Sequence, residues 1–220
     1  MFSHKSEHSL TISASKVEPL SAFLKRNKKH LEYNIMEKLI ETIGRQLHHL
    51  ELDNKGISGF NLDDITVFYD IAGTRDDTCH TSHDTTDASI IHFAITNEDK
   101  IHDIDDEHQL TITSPYQKEY TTIATATTKN IAFYSPEFKD FVSKKTLPYT
   151  LHFKSGYYSF GLLCVYCYIS RSADATAAIT KKDQDQDHEA ILSSIINTKI
   201  YWFLKRVLQE NPSERRYICV

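Results

Sequence analysis

The 220 residues, 40% hydrophobic, 25% charged and 11% aromatic, suffice for one sizeable core and exclude a chain that stays disordered. A formal charge of -5 and a pI near 6.2 argue against a nucleic-acid partner, because phosphate binders carry a basic excess. Four cysteines, at 79, 164, 167 and 219, are too few and too scattered for a disulfide framework and read as reduced thiols.

Met1 to Leu10 contains no apolar h-region, so the chain is expected to be cytoplasmic, with a flexible leader at 1–17 and a single domain over 18–220. Glu18-Pro19 marks a helix start, with Pro19 in the first turn, where its missing N–H costs nothing. Lys25, Arg26, Lys28, Lys29 and His30 then read as a solvated face. Leu31, Ile35, Leu39, Ile43, Leu47 and Leu50 recur at three- and four-residue steps and predict an amphipathic helix.

The period then changes. Asp64 to Ile71, Ser89 to Thr96, Gln109 to Thr113, Tyr120 to Thr127 and Ile131 to Tyr134 are rich in β-branched and aromatic residues and predict strands. Pro136 opens a short amphipathic stretch containing Phe138, Phe141 and Val142. Tyr149 to Phe153 and Ser159 to Ser170 read as two further strands, the second central because both of its faces are apolar. The most apolar run, Tyr157 to Ile169, is too short for a membrane span of about 20 residues, so no membrane partner is expected. From about Asp187 to Glu210, a wide apolar band from Ile191 to Leu208, led by acids and closed by Lys205 and Arg206, predicts a long terminal helix. The sum is an α+β chain with a central, mostly antiparallel sheet and long helices at both ends packed on one of its faces.

The densest polar cluster is Cys79-His80-x-x-His83-Asp84-x-x-Asp87, followed by His92. It offers thiolate, imidazole and carboxylate donors for zinc or iron, although the threonines and serines between them also suit a solvated loop. Cys164-Val-Tyr-Cys167, read on a strand, points its thiols to opposite faces, which prevents a shared metal or a bridge. Asp183, Asp185 and Asp187 open like a calcium loop, but His188 and Ser194 stand where its glycine and glutamate belong. No glycine forms a phosphate-cradling loop, and no nucleophile elbow occurs.

The order of elements, with Gly161-Leu162-Leu163 on a long strand, a polar excursion and the helix from Asp187 to Leu208, resembles the end of a GAF domain. Thr125 to Phe138 is similar to that family's strand, polar turn and proline-marked loop. The resemblance implies a GAF-like sheet, a ligand pocket or its remnant on one face, and dimerisation through the terminal helices. The family's Asn-Lys-x-Phe-Asp-Glu signature is absent, and the cysteines match neither its chromophore-attachment nor its sulfoxide-reductase pattern. The expected function is a non-catalytic sensory or regulatory module that requires no cofactor, forms a homodimer through its terminal helices and binds a small molecule or a protein partner. Tyr116, Tyr120, Tyr134 and His152 are the candidate ligand contacts, with core packing as their alternative role. The rival is a metal-dependent enzyme built on Cys79, His80, His83 and Asp84, with His92 as a further ligand or general base.

Overall fold

The computed structural model describes residues 14–27, 30–70, 91–113, 132–144, 147–169 and 192–217. In chain order these form β1 (Lys16–Pro19), α1 (Leu20–Arg26), α2 (Tyr33–Leu52), β2 (Lys55–Ile57), β3 (Phe60–Asn61), β4 (Ile65–Tyr69) and β5 (His92–Ile95). There follow β6 (Ile101–Asp103), β7 (Gln109–Ile112), β8 (Ala132–Phe133), α3 (Pro136–Lys144), β9 (Tyr149–His152), α4 (Ser155–Tyr168) and α5 (Lys199–Val207). The chain is α+β, and every described strand pair is antiparallel.

Among the described residues the strands form not one central sheet but four small ones: β1-β4-β5, β2-β6, β3-β8 and β7-β9. In the three-stranded sheet Val67 faces Glu18 on one side and Phe93 on the other, and Ile65, Val67 and Tyr69 turn into the core. Among the described strands β5 is an edge, and a side chain from α2 closes it. Gln46 Nε2 donates to the Phe93 carbonyl at 2.8 Å, and its Oε1 accepts from the Ile95 N–H at 2.9 Å. A single amide thereby mimics a neighbouring strand and removes an edge that would invite further pairing. On the opposite edge, β1 is short and ends in Pro19, which serves as the N-cap of α1 rather than lying in its first turn.

The largest departure from expectation is at 155–168. What its continuous apolar run suggested was a central strand is helix α4, and all but Tyr166 and Tyr168 of its 14 residues are buried. A helix buried on every side has no polar stripe, so it shows neither the helical nor the strand period. Close approach explains its glycines. A Cβ on Gly156 would lie 2.5 Å from the Ile57 carbonyl oxygen, and one on Gly161 would lie 2.7 Å from Val207 Cγ2 on α5. Cys164 and Cys167 are therefore helical, three residues apart on neighbouring positions and not on opposite faces of a strand. Both are buried free thiols, and burial pushes both pKa values up.

The terminal helix is also shorter than expected. Ser193–Ile195 form a 3-10 turn, and Asn197 takes a left-handed φ of 71° before Thr198 caps α5, its Oγ1 accepting from the Tyr201 N–H at 3.1 Å. The amphipathic expectation at the other end holds: α2 runs 20 residues and buries Ile35, Met36, Leu39, Ile40, Ile43 and Leu47. The main core gathers around α4, between α2, the small sheets and α5. A second cluster joins Leu110, Ile112, Tyr134, Phe138 and Leu151 beneath β7 and β9.

Two buried ionic knots tie these layers. Asp64 accepts from Lys100 Nζ at 2.8 Å and from Asn97 Nδ2 at 2.7 Å, in a pair that is almost wholly buried. Arg215, 0% exposed, forms a two-pronged pair with Glu137 on α3. It also donates to the carbonyls of Lys154, Gln209 and Glu210, and its guanidinium lies over the Tyr158 ring. All five of its N–H donors are thus used, and the start of α4 is joined to the exit of α5. Beyond it, the Tyr217 hydroxyl donates to the Ile40 carbonyl, its ring lying in the space that Gly44 leaves on α2.

Candidate functional site

α5 buries Ile200, Tyr201, Phe203, Leu204 and Val207, which leaves one face to solvent. At the centre of that face stands Trp202, the chain's single tryptophan, 48% exposed. Its neighbours on the helix surface, three or four residues away, are Lys199, Lys205 and Arg206, all exposed. No acidic residue occurs between Lys199 and Val207. The indole packs edge-on against Tyr201, with ring centroids 5.2 Å apart, and the Lys205 ammonium lies 5.7 Å from the Tyr201 centroid. Lys199 pairs with Glu37 of α2 at 3.3 Å. The result is a large aromatic surface held from one side, open on the other and set among three cations, one of them paired with Glu37. In the segment leading into α5, Ile196 is 57% exposed.

Such a face suits macromolecular recognition. Tryptophan and arginine dominate the residues that carry binding energy at protein interfaces, and surrounding charges steer encounter and choose the partner. A lone exposed apolar side chain is ordinary on a protein surface; a tryptophan centred on a wholly basic helix face is not.

A different site type lies beside β2 and β6, where Lys55, His102, Asp103, Asp105 and Thr111 line an open depression of about 420 Å³. Lys55 and Asp103 pair across the strands at 3.2 Å, and burial lowers the His102 pKa. Small-molecule sites are usually deep and mostly apolar, and this depression is neither.

Of the residues singled out from sequence, Tyr134 is buried in the second core cluster and stacks on Phe138, with centroids 4.4 Å apart. His152 is half-buried on β9, where its Nδ1 accepts from the Lys154 N–H at 3.2 Å. Burial, aided by Lys154 and Arg215, lowers its pKa. Tyr116 and Tyr120 lie outside the described residues. So do Cys79, His80, His83 and Asp84, whereas His92 is exposed on β5, opposite Phe68. Among the described residues no group of three or more His, Cys, Asp or Glu side chains is placed to hold a metal. No helix among them is long and apolar enough to cross a membrane.

Sequence reasoning passed over Trp202, Lys199 and Arg215. For the first two a signal was present, since the tryptophan falls off the apolar band and is flanked by cations at helical spacing. Arg215 had none, because its partners are a helix and two carbonyl-bearing segments distant in sequence or specific to the folded turn. No protein-family model matches the chain, and no curated protein matches it.

Proposed function

We propose that this chain is a non-catalytic regulatory module that acts by docking a protein partner on the outer face of α5. The observation that carries the reading is Trp202, half-exposed at the centre of a basic helix face and held from one side by Tyr201. Between the two ligand classes expected from sequence, a protein partner has this preformed anchor in its favour, whereas the depression beside β6 is shallow and polar. A twofold pairing of α5 helices would bring Lys205 of each copy against Lys199 or Lys205 of the other, so the reading takes the partner to be a different chain.

The test is affinity enrichment from the source cells with the wild-type chain and with Trp202→Ala, followed by titration of the purified candidate against Trp202 emission. The reading expects a protein whose enrichment is lost in Trp202→Ala and whose purified form shifts the emission saturably. Equal enrichment by both chains would overturn it.

A further inference from the structure

Resting on the docking reading above, we infer that the segment received by α5 is an acidic peptide stretch carrying an aromatic or aliphatic residue. The argument begins with the sign of the charge. The chain as a whole is at -5, yet Lys199, Lys205 and Arg206 surround Trp202 with no acid on the same helix. Helix-dipole complementarity accounts for Lys205 and Arg206 in the last turn. It does not account for Lys199, which sits at the first helical position, where the dipole disfavours a cation. Glu37 offsets that placement from α2, and Glu210, beyond the helix end, marks the limit of the basic face.

Geometry then selects among anionic partners. A membrane-seeking helix needs a broad apolar face to insert, and the apolar side of α5 is already occupied by the core. Nucleic acid calls for a basic groove or stripe that follows a phosphate backbone, and about two and a half turns of helix with three cations are too small for it. A short peptide matches the scale. Its apolar side chain covers the open side of the indole while neighbouring carboxylates meet Lys205 and Arg206, Lys199 being paired with Glu37.

The experiment is selection of a random library of short linear peptides, displayed on phage, against the immobilised full chain. The enriched sequences are then measured as free peptides through Trp202 emission, with phosphatidylserine vesicles titrated in parallel. The inference expects enriched peptides with net negative charge and at least one aromatic or aliphatic residue. Their affinity should fall about tenfold or more in Lys205→Glu/Arg206→Glu, by less in Lys205→Gln/Arg206→Gln, and with rising salt. Enriched peptides that are neutral or basic but still require Trp202 would overturn the acidic assignment and leave the docking reading standing. Peptides that bind Trp202→Ala as well as wild type, by competition, would remove the docking reading itself. Vesicle binding without peptide enrichment would replace the peptide with a lipid surface and overturn the inference. The glutamine pair keeps the surface uncharged without reversing the helix-terminal charge, so loss of folding in the glutamate pair does not decide the result.

Discussion

Helices α4 and α5 pack against each other at Gly161, yet they divide the work of the molecule between them. α4 is buried on nearly every side, and its thiols and the phenols of Tyr157 and Tyr158 are sealed inside. α5 has one face in the core and the other given to Trp202 and cations. Complete burial supplies stability but leaves no side chain within reach of a partner, whereas an amphipathic helix does both. Cys164 and Cys167 therefore belong to packing, and the proposed recognition belongs to α5, which meets the same helix at Gly161.

The largest effects should come from the shared interior. Arg215→Ala is expected to cost about 3–5 kcal/mol in a urea titration, because it leaves Glu137 and three carbonyls unsatisfied at the α4–α5 joint. On α5 itself, adjacent aromatics should separate the two roles. Phe203→Ala should cost about 3–5 kcal/mol by opening the core, whereas Trp202→Ala should cost about 1 kcal/mol or less and act on binding. Equal losses at the two positions would break the distinction between the faces. Gly161→Val should cost about 1–3 kcal/mol by driving a side chain into Val207 and Leu208.

A smaller effect is expected from pH. Burial raises the pKa of Cys164, Cys167 and Tyr157, and pushes Tyr158 up to about 12. Each folded value then exceeds its unfolded one, so the stabilisation is full below the unfolded pKa and is lost as pH rises, the unfolded chain releasing its protons first. The urea midpoint should decline above about pH 9, where unfolded thiols and then phenols ionise. A flat midpoint through that range would mean that α4 is open to water. Peptide mapping after thiol labelling should agree, with Cys164 and Cys167 protected at neutral pH until the chain unfolds.

What the sequence made legible was whatever had a clear period. α2 and the short strands β4, β5, β7 and β9 carry theirs openly, since each has one buried face and one wet one. α4 lacked a period because it lacks a wet face, and its tyrosines, phenylalanine and valine imitate strand composition. The break at Asn197 was hidden because the apolar band continues on both sides of it, through Leu192 and Ile195 into Ile200. The proposed docking face was legible only in part, as an aromatic among cations off that band, and Arg215 was not, since long-range geometry alone reveals why it is buried.

The central claim is that Trp202 sits on an open, positively charged face, and charge-selective quenching of its emission tests this most directly, because no other tryptophan contributes. The account predicts the emission of a partly exposed indole, quenched more efficiently by iodide than by caesium at low salt, with the difference shrinking in Lys205→Gln/Arg206→Gln. A blue-shifted emission resistant to both ions, or one quenched preferentially by caesium, would contradict it.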